Sequence, residues 1–262
     1  MDEMESIPIL AFHKVDPRFE WGVTRATPRR FRKIIQYLYD AGYTGIGAND
    51  LLHPETLDPQ KKVVGITFDD SYASLYEHAF PVLQEFGFSA TVFVITDFIG
   101  KLNTWDVNLG WLTFKHLDWT QMREMEKHGI SFGSHTVSHP DLTRISPERI
   151  RNELGDSKKI LEDGLGKEIP LVSYPFGRFN PAIVHMSQEA GYQKACAFFN
   201  KIGKTKESFV LERKAYYLMD SMFSLRSKLH TNVWSPCEDV KLRVINFCSH
   251  GTSIVKHFIL RQ

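Results

Sequence analysis

The apolar run Val63-Val64-Gly65-Ile66-Thr67-Phe68 stops on two adjacent carboxylates, Asp69 and Asp70. Successive side chains of a strand point to opposite faces, so this pair can serve one site only if the strand ends there and the backbone turns. The pattern does change at that point. Tyr72, Leu75, Tyr76, Ala79, Leu83 and Phe86 fall on one helical stripe. The same alternation runs along most of the chain. Residues 7–12, 90–95, 171–174, 195–199 and 209–211 read as strands, and Ile130 and Phe132 alternate into another. Between them, Thr27-Pro28, Ser146-Pro147-Glu148 and Asn180-Pro181 open helices with a capping side chain and proline in the first turn. Asp118, with Gln121 three residues on, opens a short one. The helix after Ser146 carries the stripe Ile150, Leu154, Ser157 and Leu161. Repeated βα units imply a parallel sheet, most simply an α/β fold of the distorted or incomplete (β/α) barrel type. Such barrels place functional groups at the C-terminal ends of strands.

With 262 residues, 42% of them apolar, the chain can bury one sizeable core. We therefore expect a single domain over 1–262, with 220–262 a mainly helical C-terminal extension. A net charge of +1 gives no case for nucleic acid or an anionic membrane surface. No segment has the apolar length of a transmembrane helix. The start, Met1-Asp2-Glu3-Met4-Glu5, is acidic where a signal peptide is basic, so a cytoplasmic location is expected. Cys196, Cys237 and Cys248 include no close pair, so buried reduced thiols are expected rather than a disulfide framework or a cysteine zinc site. Oligomeric state has no signature in the sequence.

Chemistry concentrates in two places. Asp69-Asp70 alone fits a pair of helix-capping aspartates. Ser134-His135-Thr136-Val137-Ser138-His139 changes that balance, because two histidines four apart behind a strand are spaced as metal ligands. Such a pair alone is weak in a chain with eleven histidines. His53, His78, His116, His128, His185, His230 and His257 are expected on the surface or in simple hydrogen bonds. One carboxylate and both histidines can hold a divalent ion, leaving the second carboxylate as a base.

These residues resemble the polysaccharide deacetylases of the NodB-homology type, metal-dependent carbohydrate N-deacetylases. Thr67-Phe68-Asp69-Asp70 is similar to their first motif, His135-Thr136 with His139 to their second, and Tyr174-Pro175-Phe176-Gly177 to their third. The likeness runs from Ile7 to Leu211. It implies that Asp69 is the general base and that Asp70, His135 and His139 bind one divalent metal, zinc by ligand type, with cobalt or nickel as alternatives. It also implies that the backbone near Phe176, with Tyr174 and Pro175, helps to hold an oxyanion. Two departures stand out. Ser173 occupies the position where the third motif carries an arginine paired with the base, and Arg213 or Arg178 is the candidate replacement. The family's acid histidine lies near the C-terminus before aspartate, whereas here His250 precedes Gly251. Phe12-His13-Lys14-Val15 resembles instead the N-terminal segment of the poly-N-acetylglucosamine deacetylases, whose catalytic elements look circularly permuted. On that likeness His13 is favoured over His250 as the acid.

The resemblance implies an N-acetylated saccharide substrate, with a place in cell-surface polysaccharide biosynthesis. Phe98, Trp105, Trp111, Phe114 and Trp119 follow the third strand and either stack on sugar or pack their loop, with Trp105 taken as a substrate contact. Three other readings stay open. They are hydrolysis of a non-sugar linear or cyclic amide, the two-histidine-one-carboxylate triad of a non-haem iron oxygenase, and a non-catalytic carbohydrate-binding relative.

Overall fold

The computed structural model describes residues 7–20, 23–104, 113–198 and 209–229. Its strands are β1 (Ile9–Phe12), β2 (Lys14–Val15), β3 (Arg25–Ala26), β4 (Tyr43–Ile46), β5 (Lys62–Phe68), β6 (Ala90–Val94), β7 (Ile130–Ser134), β8 (Leu171–Ser173), β9 (Lys194–Phe198) and β10 (Val210–Ala215). Its α-helices are α1 (Pro28–Asp40), α2 (Phe80–Phe86), α3 (Trp119–Lys127), α4 (Pro147–Leu165), α5 (Pro181–Glu189) and α6 (Met222–Leu229). Seven parallel strands close a ring in the order β1, β10, β9, β8, β7, β6, β5 and back to β1. Ile9–Phe12 pair with Gly65–Phe68, and Leu10 pairs with Lys214, which joins the first strand to the last. This is a seven-stranded (β/α) barrel. β4 lies along the first half of β5 and β6 along its second half, while Ser89 N–H bonds Gly45 O.

The helices form where their signals stand. Thr27 accepts from Arg30 N–H, and α1 buries Phe31, Ile34, Ile35 and Leu38 at helical spacing. Asp118 and Gln121 cap α3 reciprocally. Ser146 caps α4, which ends at Gly166 in the left-handed conformation. Asn180 caps α5. The stripe after Asp70 is one helical path with a fault in it. Leu75–Ala79 form a π-turn, in which Phe80 N–H reaches back to Leu75 O, before α2 begins. Pro81 supplies no N–H and its ring would crowd a regular preceding turn, which accounts for the wider one.

Alternation along the strands divides the core in two. Leu10, Phe12, Val64, Ile66, Phe68, Val92, Val94, Ile130, Phe132 and Val172 face the helices in the main cluster. Their neighbours, among them Phe93, Leu171 and Cys196, fill the barrel interior. The sequence pattern leaves β4 and the two-residue β2 and β3 unread and shows only the start of β10. β4 is hidden because glycines interrupt it, and Gly45 is required: a Cβ there would lie 2.3 Å from the Phe88 ring. β10 extends past residues 209–211 through Glu212, Arg213 and Lys214, a charged run that masks a strand. No helix among the described residues is long and apolar enough to cross a membrane.

Candidate metal and catalytic centre

Asp69 directly follows β5, and its N–H bonds Phe12 O across the β1 junction. The chain then turns sharply. Asp70 and Ser71 take φ of 69° and 53°, in the left-handed region. Thr136 (69°), His139 (58°) and Phe176 (58°) do the same, so all five non-glycine residues with positive φ among the described residues lie in or beside the three motifs. Each such conformation costs about 1–3 kcal/mol and persists only where the surroundings enforce it. The turn after β5 solves the problem posed by adjacent aspartates, since it lets both serve one end of the barrel.

Asp70, His135 and His139 converge. One carboxylate oxygen and two ring nitrogens lie within 4.8 Å of one another, and all three residues are buried. The Nε2 atoms of His135 and His139 stand 3.5 and 3.6 Å from the same Asp70 Oδ1. Those distances are long for hydrogen bonds. They match the about 3.4 Å between ligand atoms that each lie about 2.0–2.2 Å from a tetrahedral zinc. The tautomer agrees. His135 Nδ1 lies 2.7 Å from Ser173 O, which can only accept, so Nδ1 carries the hydrogen. Burial lowers the His135 pKa, leaving Nε2 with its lone pair aimed at a carboxylate oxygen. A cation between them relieves that repulsion, and the donor set fits a divalent metal such as zinc.

Arg213 resolves the missing arginine. From β10 its guanidinium reaches through the barrel interior and grips Asp69 with both arms, at 2.8 and 2.9 Å. It also donates to Thr67 Oγ1 at 3.1 Å and to Ser173 Oγ at 2.7 Å, so the residue at the expected arginine position now accepts from the arginine. Phe93 and Phe198 lie against the guanidinium at 5.1 and 4.9 Å. Arg213 is 0% and Asp69 1% exposed. Burial alone would raise the Asp69 pKa, but the guanidinium beside it overrides that and holds the carboxyl well below the usual carboxylate range. Asp69 therefore stays ionised. Arg178 is engaged elsewhere, with Asp141 at 2.5 Å, tying the third motif to the loop beyond His139.

His13 follows β1 and stacks on Phe198, with centroids 5.9 Å apart and planes at 15°. Burial pushes its pKa down to about 4 against the pull of Asp69, so the resting ring is neutral at pH 7. Phe176 sets its ring edge-on to His139 at 4.8 Å. The turn's own bonds come from Gly177 N–H to Tyr174 O and Arg178 N–H to Pro175 O. The Tyr174 side chain lies away from the centre. It is fully buried against Phe179 and donates to Ser187 Oγ. Pro175 is buried and shapes the turn. Trp105, Trp111 and His250 lie outside the described residues, as do Cys237 and Cys248. Phe98 and Phe114 pack the loop with Tyr72 and Ile95, and Trp119 packs on the main core. Cys196 is a buried free thiol, its pKa raised to about 12 by burial.

Two residues escaped the sequence reading. Glu153 sits on the buried stripe of α4 and accepts from Val137 N–H and Ser138 N–H, both at 2.9 Å. It anchors the loop that carries His139. A glutamate on an apolar stripe was the available signal. His116, placed among the incidental histidines, is fully buried and bonds the carbonyl of Asp70. Nothing in its local sequence marks it.

The family profile described as polysaccharide deacetylase matches residues 56–195, more than half of the chain. YxkH of Bacillus subtilis, which carries the name of a polysaccharide deacetylase, is 33% identical over 71% of this chain and 62% of its own length. A poly-beta-1,6-N-acetyl-D-glucosamine N-deacetylase of Staphylococcus aureus is 28% identical over 50% of this chain and 46% of its own. The chain thus spans about half to three fifths of the curated relatives it matches. Among solved structures, the Streptococcus pyogenes deacetylase PplD in complex with acetate superposes with a TM-score of 0.73 at 28% identity. That match covers 85% of this chain and 97% of PplD.

Proposed function

The chain belongs to the polysaccharide deacetylase family, and from that premise we propose that it hydrolyses N-acetyl groups on amino-sugar residues of a saccharide. One observation carries the reading. An ionised carboxylate, Asp69, is locked by Arg213 beside a separate cluster of two imidazoles and a carboxylate that suits a divalent metal. Asp70, His135 and His139 would hold that ion, zinc by donor type, which supplies Lewis-acid activation of water and carbonyl when bound.

The remaining steps belong to the chain. Asp69, fixed at both oxygens, takes the proton of the attacking water. The Phe176 N–H, which the turn's own bonds leave aside, donates to the oxyanion. His13 protonates the leaving amine. Its resting pKa of about 4 means that this proton must reach the ring during turnover, as negative charge develops in the site. One water is consumed, and acetate and the free amine leave. Trp105 is assigned to sugar contact. The Staphylococcus aureus relative points to β-1,6-linked N-acetylglucosamine as the first substrate to try.

A substrate panel tests this reading. Acetate release is compared between β-1,6- and β-1,4-linked N-acetylglucosamine oligomers and small linear and cyclic amides. Turnover of the oligomers well above the amides is expected. Turnover of the amides alone would replace the sugar reading. Tight glycan binding without acetate would make the chain a binding relative.

A further inference from the structure

The backbone at Asp70 demands an explanation that the ligand set does not provide. Asp70 and Ser71 are consecutive non-glycine residues with positive φ, and together they form the kink that brings Asp70 beside His135 and His139. A short strap, residues 114–117, lies over it. His116 Nδ1 meets Asp70 O at 2.6 Å. Leu117 N–H bonds Ser71 O at 2.8 Å, and Ala73 N–H bonds Lys115 O at 2.7 Å. Tyr72 and His116 form an antiparallel bridge. Both carbonyls of the kink are thus taken by one segment, and at Asp70 the donor is a side chain.

The His116 ring is placed for that task. It is fully buried and stacks on Tyr72, with centroids 5.0 Å apart and planes at 23°, while Phe98 lies at 5.6 Å. The backbone N–H of His116 donates to Lys101 O at 2.9 Å, so main chain and ring are both fixed. A carbonyl only accepts, which requires the hydrogen on Nδ1.

We propose that His116 is a positioning residue for the Asp70 carboxylate: its Nδ1–H, given to the Asp70 carbonyl, holds the left-handed kink that turns this ligand toward His135 and His139. The proposal rests on the metal reading of those three residues. Supporting contacts of this kind alter metal affinity by about 10–100-fold when removed. Asparagine places an amide N–H near the position of imidazole Nδ1, whereas phenylalanine keeps the stacking ring and loses the donor.

The test is a zinc titration against a chromophoric chelator for wild type, His116→Phe, His116→Asn and Asp70→Ala. His116→Phe should bind about 10–100-fold more weakly than wild type, and His116→Asn should recover most of that loss. Wild-type affinity in His116→Phe, or no recovery in His116→Asn, overturns the proposal. Asp70→Ala separates the two readings: undiminished zinc affinity there overturns the metal site itself, and the proposal falls with it. If His116→Phe fails to fold, long-range proton–nitrogen couplings in wild type read the ring directly. A hydrogen on Nδ1 supports the proposal, and one on Nε2 overturns it.

Discussion

At the scale of single residues, the centre separates its two carboxylates by giving them different partners. Asp69 has Arg213 and stays ionised, whereas Asp70 faces two histidine nitrogens. A buried ion pair gains little net stability, because both charges lose water. Here both carboxylate oxygens accept from the guanidinium, and Thr67 and Ser173 take further hydrogens from its two terminal nitrogens. Removing one partner is another matter. Arg213→Met should cost about 3–5 kcal/mol by urea denaturation, and a loss below about 1 kcal/mol would show that Asp69 has other support. The pH dependence has a definite sign. The folded Asp69 pKa lies below its ordinary 3.8, so the pair's contribution is full above that value and is lost as the pH falls toward the folded one. Asp69→Asn and His13→Ala should each keep bound zinc and lower kcat by about 10²–10⁴-fold. Retained kcat in either variant would remove that residue from its role.

At the scale of elements, the strands deliver chemistry at their ends and the helices brace it from behind. Glu153, from α4, takes two N–H groups of the loop between His135 and His139. Glu153→Ala leaves those half-buried donors without their acceptor, at the lower end of a cost of about 1–3 kcal/mol, and should weaken zinc binding about 10–100-fold. Normal zinc affinity in that variant would make the clamp merely structural. The legibility of the elements follows from the same physics. β5 and β6 are readable as short runs of mostly apolar residues, β7 because Ile130 and Phe132 alternate into the histidine motif, and α1, α3, α4 and α5 because their caps are local. β10 is legible only as far as Leu211, since Glu212, Arg213 and Lys214 look like a solvated run, and the choice of Arg213 over Arg178 needs Asp69, 144 positions away, placed beside it. His116 was illegible for the same reason, its partner being the carbonyl of Asp70, 46 residues earlier. Local sequence carries caps and periods, but not contacts across a barrel.

At the scale of the whole molecule, a closed seven-stranded ring lets residues from β1, β5, β7, β8 and β10 meet at one end. The centre's buried histidines also make the protein acid-sensitive. His13 and His116 are each lowered by burial from 6.5 to about 4, so the unfolded chain binds more protons between those values. Stability of the metal-free protein should be full above pH 6.5 and fall as the pH drops toward 4. A melting temperature flat over that window would contradict the buried neutral assignment. Metal binding acts in the opposite direction. Zinc at a hundred times its Kd should stabilise the fold by about 2.7 kcal/mol. If the proposed function is right, bound metal and deacetylation are one property of this barrel. The most direct test measures zinc content and acetate release together, on chelated protein titrated with zinc in the presence of N-acetylglucosamine oligomers. Acetate release should rise in proportion to bound zinc and level off at one ion per chain. Acetate release independent of zinc, or a full zinc site with no acetate, would contradict the proposed function.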